Sequence, residues 1–369
     1  MGLLMTPRRK KVLLLVPCLG GGGAERVFSM LLRHLDRSRF EPHLALLKAG
    51  GAFLEDIPKD VVIHDLKASR VRYAVPRIVR LVWKIRPQTL LSTMGHLNLA
   101  LILAKPLLPA GIRLLVRETA VASAILVEEA RHPWLWIWLY RRLYRRANAV
   151  VCLSNSMVED LVEHFGLPRE KLVRIYNPVD TQRVRELAKI GANPYYGPGP
   201  HLVTAGRMTR QKGFDVLLNA MSAVLEHFPS ARLAILGEGP LRSQLTEQTE
   251  RLGLTGVVQF LGFQQNPWRY IKHADLFVLP SRYEGLPNVL LETLTLGTPV
   301  VATDCVGATR EVQESGAEMV LVPLGDPTAL AEAIVSVCSR RRGYSMETSQ
   351  PALDLFDLDR VVEEYAALF

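Results

Sequence analysis

The chain has 369 residues, 49% of them hydrophobic and 22% charged, a composition that builds a globular core and excludes disordered and collagen-like chains. Its 45 Lys and Arg against 36 Asp and Glu leave a net charge of +9, which attracts phosphate on nucleic acid, anionic lipid or a nucleotide without choosing among them. The length suits two domains of ordinary size, and no apolar run reaches the roughly 18 residues of a spanning helix.

Arg8-Arg9-Lys10-Lys11 ahead of an apolar run at 12–16 has the outline of a secretion signal, but the run is too short and leads into glycines and a charged helix. A first strand is therefore predicted at 12–16, followed by strands at 43–47, 61–65, 89–92, 112–116, 149–153 and 172–176. Helices are predicted to start near Ala24, Ala74, Leu97, Pro133 and Ser156. Beyond Asn177-Pro178-Val179-Asp180, glycines and prolines crowd into residues 191–200 and mark a linker. Strands follow at 201–205, 232–236, 257–261, 275–279, 299–302 and 319–322, with helices starting near Phe214, Pro240, Pro267, Pro287 and Pro327. A polar surface loop at 339–351 and a closing helix within 356–369 complete the chain.

Short β-rich runs alternating with longer helical patterns define an α/β class with parallel strands and crossover helices, here in two doubly wound halves. The expected division is an N-terminal Rossmann-like domain at 1–178, a linker at 179–200, a C-terminal Rossmann-like domain at 201–350 and a closing helix at 351–369. Cys18, Cys152, Cys305 and Cys338 are scattered, lack CxxC spacing and read as reduced core residues of a cytoplasmic protein.

Gly20-Gly21-Gly22-Gly23 directly follows the first strand and opens a helix, leaving backbone N–H groups for an anion unless the glycines serve only the turn. It is not the dinucleotide fingerprint, because Glu25 stands where GxGxxG needs its last glycine and the next strand ends at Leu47-Lys48 with no acidic ribose ligand. After the strand at 201–205, Arg207, Arg210 and Lys212 share one loop at the end of a strand where such sheets bind ligands. That loop suits a diphosphate, or else is a solvated basic turn. After the strand at 275–279, Pro287 suits a first helical position, so Glu284 falls in a loop while Gly285, Leu286 and Asn288 present N–H groups. Glu292 then sits inside the helix among leucines and needs a partner, either ribose hydroxyls or a structural arginine.

Together, Gly206-Arg207 to Lys212-Gly213, Gly237-Glu238-Gly239-Pro240 and the Glu284-x7-Glu292 array within Glu-Gly-Leu-Pro-Asn-Val-Leu-Leu-Glu resemble the retaining family-4 glycosyltransferases of the GT-B fold. The glycine-rich start, the Asn177–Asp180 turn and Gly297-Thr298-Pro299 are similar to the same family. The resemblance implies two Rossmann-like domains facing a central cleft and a nucleotide-sugar donor held mainly by the C-terminal one. Arg207 and Lys212 would then meet the diphosphate, Glu292 the ribose, and Glu284 the transferred sugar, with Gly22 and Gly23 approaching the diphosphate from the other domain. Two cations and a helix N-terminus stabilise the charge on a departing diphosphate, so neither a metal nor another cofactor is expected. Asp357-Leu358-Asp359, the one DxD string, falls at the final helix and reads as helix-start chemistry.

Where the family often carries a histidine near the sugar, this chain has Arg117-Glu118; these two are the expected substitutes, with His96 after the preceding strand as the other candidate or a helix-start residue. Glu311 stands at a further expected sugar contact. The tract 131–146 holds three tryptophans, two tyrosines and five arginines, which fits an anionic membrane surface or a crossover helix buried against the sheet. The sequence thus predicts a cytoplasmic transferase, peripheral on the cytoplasmic face of the inner membrane. It would move a hexose or N-acetylhexosamine from a nucleotide sugar, UDP favoured, to a lipid-linked or saccharide acceptor, and would not bind nucleic acid. An epimerase-like hydrolase on the same fold, or a basic binding protein without catalysis, is the alternative.

Overall fold

The computed structural model describes residues 9–340 and 350–369, which form two compact units: 9–178 with 359–369, and 179–340 with 350–358. The N-terminal unit holds seven parallel strands: β1 (Lys10–Val16), β2 (Phe40–Leu46), β3 (Val62–Asp65), β4 (Thr89–Thr93), β5 (Arg113–Arg117), β6 (Ala149–Cys152) and β7 (Leu172–Arg174). They lie in the order β3-β2-β1-β4-β5-β6-β7, with Leu14 of β1 opposite Leu44 of β2 and Leu91 of β4. From Val12 onward β1 is an unbroken apolar run because a central parallel strand is covered by helices on both faces; Val12 to Val16 are fully buried. Edge strand β3 exposes Val62 and Ile63.

The C-terminal unit repeats the design with β8 (His201–Ala205), β9 (Arg232–Leu236), β10 (Val258–Gly262), β11 (Leu276–Leu279), β12 (Val300–Thr303) and β13 (Val320–Val322), ordered β10-β9-β8-β11-β12-β13. Its core gathers Leu202, Leu217, Met221, Ile235, Val278 and Val301 between the sheet and helix Phe214–His227. In both sheets the chain reverses its direction of travel after the third strand. The strand pairs β1/β4 and β8/β11 therefore part at their carboxyl ends, where open α/β sheets bind ligands.

Three helices were absent from the sequence prediction. Ala122–Glu129 is apolar without clear periodicity, and Thr309–Glu314 is short. Thr181–Leu187 occupies the start of the stretch read as linker; Asp180 caps it by accepting a hydrogen bond from the Arg183 N–H at 3.0 Å. Several starts move: the helices expected near Ala74 and Leu97 begin at Val71 and Gly95, the one expected at Pro240 begins at Arg242, and Pro287 is an extended cap residue with the helix starting at Asn288. Most of the loop expected at 339–351 lies outside the described residues. The closing helix Leu358–Leu368 returns to the N-terminal unit: the Thr89 hydroxyl donates to the Phe369 carbonyl at 3.1 Å, and the Phe40 and Phe369 rings meet edge to face with centroids 6.0 Å apart.

Candidate active site

Two loops at the carboxyl ends of β8 and β11 carry the densest chemistry in the C-terminal unit. The loop after β8 is fixed by backbone contacts that leave room only for glycine. Gly213 has φ +63°, and a Cβ there would lie 1.9 Å from the Pro280 carbonyl oxygen; a Cβ on Gly239 would lie 2.5 Å from that of Met208. The Arg282 N–H donates to the Gln211 carbonyl at 2.7 Å, and its guanidinium grips Asp215 through two bonds of 2.7 and 2.6 Å. Burial raises the Asp215 pKa, but the hydrogen bonds and charge of Arg282 outweigh it and hold the carboxyl below its ordinary value. The two loops are thereby bound into one frame.

Inside that frame the Lys212 ammonium stands 2.6 Å from Glu284 Oε1, with the side chains 16% and 5% exposed. The Ser281 hydroxyl donates to the same oxygen at 2.6 Å, and Gln211 Nε2 reaches the other at 3.4 Å and the Tyr283 carbonyl at 3.0 Å. The Glu284 N–H donates to the Val306 carbonyl, and Gly307 (φ +139°) lets that backbone approach, since a Cβ would lie 2.4 Å from the Glu284 carbonyl oxygen. Arg207 is exposed at the start of the first loop. Gly285 and Leu286 form the turn into helix Asn288–Thr295, with the Gly285 carbonyl accepting from the Ala308 N–H. Glu292 is buried within that helix, one oxygen accepting from Trp268 Nε1 at 2.8 Å. An indole thus supplies a partner that neither the ribose nor the arginine reading foresaw. The structure brings Lys212 together with Glu284 and adds Ser281, three residues before Glu284 in the same loop, together with Gln211 and the Arg282–Asp215 clamp, whose partners lie in the other loop and leave no spacing signal. Glu311 is half-buried in helix Thr309–Glu314, which follows the Gly307 turn.

In the N-terminal unit the glycine loop ends at Gly22, the cap of helix Gly23–His34, with Gly21 at φ +111°. The buried Glu25 folds back so that its carboxylate occupies the space a Gly22 side chain would need. Across the switch point, Met94 between β4 and helix Gly95–Ala104 adopts φ +74°, a strained conformation for a residue with a Cβ. His96 lies exposed in the first turn beyond it, its pKa lowered by desolvation.

Arg117 and Glu118 both lie beneath the surface. Arg117 is buried, donating to Asn177 Oδ1 at 2.6 Å and to the Tyr365 hydroxyl at 3.1 Å, and so ties β5 to the closing helix. Glu118, also buried, accepts from the Tyr144 hydroxyl and from Asn98 Nδ2 at 3.1 Å. Burial raises its pKa. Tyr144 stacks on Tyr140, whose hydroxyl would meet any side chain placed at Gly95. Both charged groups face inward, because a buried guanidinium or carboxylate persists only where neighbours satisfy it. They build the framework beneath the switch point, and His96 is the solvent-facing candidate of the three.

Residues 21–183 match the family described as Glycosyltransferase Family 4, and residues 199–340 that described as Glycosyl transferases group 1. The chain belongs to the family-4 glycosyltransferases. It is 27% identical over 316 residues to N-acetylgalactosamine-N,N'-diacetylbacillosaminyl-diphospho-undecaprenol 4-alpha-N-acetylgalactosaminyltransferase of Campylobacter jejuni, covering 82% of this chain and 83% of that one. With the lipopolysaccharide core biosynthesis glycosyltransferase LpsE of Rhizobium meliloti it shares 31% identity over 61% of this chain and 65% of the other. A match of 30% identity to an uncharacterized glycosyltransferase of Methanocaldococcus jannaschii covers 53% of this chain and about half, 49%, of that relative's length. Among solved structures, Anabaena HepE in complex with UDP-glucose superposes with a TM-score of 0.80 at 19% identity over 97% of this chain and all of the other. WaaG, a glycosyltransferase involved in lipopolysaccharide biosynthesis, gives 0.73 at 15% identity over 97% and 99%. These likenesses share the GT-B fold.

Proposed function

We propose that the protein transfers a hexose or N-acetylhexosamine, with retention and without a metal, from a nucleotide diphosphate sugar to a lipid-linked or polysaccharide acceptor in cell-envelope glycan synthesis. The observation that carries this reading is the Lys212 ammonium held 2.6 Å from Glu284 in the frame between β8 and β11. A cation and a carboxylate fixed side by side suit the two ends of the bond that breaks: Lys212 meets charge developing on the diphosphate, and Glu284 faces the sugar. Arg207 extends over the phosphates, and Gly285, Leu286 and Asn288 line the start of the helix that receives them. Glu292, aimed by the Trp268 indole, accepts from the ribose hydroxyls. In the N-terminal unit Gly22 and Gly23 are the proposed phosphate-facing backbone and His96 the proposed sugar contact.

UDP is the favoured nucleotide, supported by the UDP-glucose complex of the HepE neighbour, and GDP is the next. The lipid-linked acceptor and a peripheral position on the membrane are supported by the Campylobacter relative, whose name specifies a diphospho-undecaprenol substrate. Calorimetric titration of UDP, GDP and ADP with EDTA present, followed by assignment of the product anomer, tests the proposal. Micromolar binding of one nucleotide and a product of unchanged anomeric configuration are expected. A strict Mn2+ requirement, or an inverted anomer, would overturn the mechanism.

A further inference from the structure

No helix among the described residues is long and apolar enough to cross a membrane, yet the N-terminal unit leaves large apolar side chains in water. In helix Pro133–Leu143 the inward face is Tyr140 and Leu143, while Trp134 is 69% exposed and Trp138, one turn later, 55%. The alternative of a helix buried against the sheet fits only half of its surface. Helix Pro133–Leu143 packs on helix Gly95–Ala104, which packs in turn on helix Val71–Ile85. These belong to the successive crossovers β5 to β6, β4 to β5 and β3 to β4, which run the same way across the sheet; right-handed connections therefore place all three on one face. The other two contribute Leu103 and Trp83 to solvent, and Leu107 just beyond adds a third apolar group at 60% exposure. Trp83 is fixed in place: its indole N–H donates to the Leu107 carbonyl at 2.9 Å and the Arg86 guanidinium lies 4.3 Å over its ring.

Along the three helices themselves the charge has one sign; Glu118, Glu128 and Glu129 are the acidic residues of the segment before the last of them. Residues 66–117 contain ten Lys and Arg and no Asp or Glu, and residues 130–158 contain five Arg and again no carboxylate. On the three helices Arg72, Arg80, Lys84, Arg141 and Arg142 are exposed. A solvated helix face in a protein with 36 Asp and Glu would carry both signs. Tryptophans interleaved with unopposed arginines match an interface that is apolar below and anionic above, with indoles at headgroup depth and guanidiniums on phosphate. Nucleic acid would account for the arginines but not for leucines presented beside them.

We propose that this helical face docks on an anionic phospholipid bilayer through Trp134, Trp138, Trp83 and the surrounding arginines. The surface deepens the peripheral membrane position proposed above and rests on that part of the reading; it lies outside the loops assigned to the donor, so its failure would leave the glycosyl-transfer chemistry untouched. The test is co-sedimentation of the full chain with vesicles of phosphatidylcholine alone and with vesicles of phosphatidylcholine and phosphatidylglycerol in equal parts. Trp134→Ser/Trp138→Ser and Arg80→Glu/Arg142→Glu are compared with wild type and with Tyr196→Ser, an exposed aromatic of the other unit. Thermal melting of each variant establishes that it is folded. Binding is expected to the anionic vesicles alone, with a blue shift of tryptophan emission. It should fall at least tenfold in the tryptophan variant and about fivefold or more for each arginine replaced, and should be unchanged in Tyr196→Ser. Failure to bind anionic vesicles overturns the proposal, as does binding that the patch variants leave intact. Equal or tighter binding to a single-stranded oligonucleotide, lost in the arginine variant but not in the tryptophan one, would reassign the face to nucleic acid.

Discussion

Removing the Lys212 ammonium affects both stability and donor binding, and the two effects separate. In the folded chain Lys212→Ala leaves Glu284, 5% exposed, without its cation. Breaking a buried pair from one side costs roughly 3–5 kcal/mol. Ser281 and Gln211 still donate to Glu284, and Lys212 itself keeps some solvent, so the expected loss lies at the lower end, about 3 kcal/mol. A charge-assisted hydrogen bond to a phosphate contributes about 1.5–3 kcal/mol, so UDP affinity should fall roughly tenfold to over a hundredfold. Glu284→Gln has the opposite signature. It removes the carboxylate that competes with phosphate for Lys212 and keeps an acceptor for Ser281, so nucleotide binding should be retained or tightened while turnover collapses. Urea unfolding and calorimetry on the two variants provide the readouts. The reasoning is refuted if Lys212→Ala binds UDP as well as wild type, or if Glu284→Gln loses nucleotide affinity in parallel with Lys212→Ala.

The buried Glu118 has its pKa raised by burial, so the stability it contributes is present below the ordinary carboxyl value of 4.5 and declines as pH rises through the folded pKa. Glu118→Gln should therefore flatten the pH dependence of stability above pH 4.5, whereas Glu118→Ala, which strips Tyr144 and Asn98 of an acceptor, should destabilise by about 2–4 kcal/mol at neutral pH; thermal melts across pH decide it. Gly213→Ala forces a Cβ to within 1.9 Å of the Pro280 carbonyl oxygen at positive φ, and should cost more than the roughly 1–2 kcal/mol of the left-handed conformation alone while weakening UDP binding by shifting the frame. Arg282→Ala releases Asp215, whose lowered pKa gives stability present above 3.8 and lost as pH falls through the folded value. That variant should lose the corresponding acid limb of the stability profile, and an unchanged profile would show that the clamp has no energetic weight.

Much of the donor-side site was legible in the chain because its parts are local. Arg207 to Gly213 and Glu284 to Glu292 each follow a strand directly, and a loop after a parallel strand has one place to be, at the carboxyl edge of the sheet. The apolar runs of β1 and β11 declared themselves as buried strands for the same reason: a centre strand covered on both faces has no polar alternation to hide. Helix Ala122–Glu129 was not legible, because a short apolar segment without periodicity gives no direction to its faces. The inward orientation of Arg117-Glu118 was not legible either, because residue type and position after a strand suit a sugar contact equally well. Orientation depends on Asn177, Tyr365, Tyr144 and Asn98, which converge from distant parts of the chain.

The sequence by itself determined the α/β class, the two doubly wound halves, the family and the two loops that bear the charged residues, since each follows from period, turn chemistry and contiguous motif. The tertiary structure alone decided which charges meet and which way the aromatic helix turns. Lys212 and Glu284 are 72 residues apart and touch only because β8 and β11 are neighbours in the sheet order. Helix Pro133–Leu143 turns Tyr140 and Leu143 inward and leaves Trp134 and Trp138 outside, a choice that hydrophobicity alone does not make because all four side chains offer apolar surface.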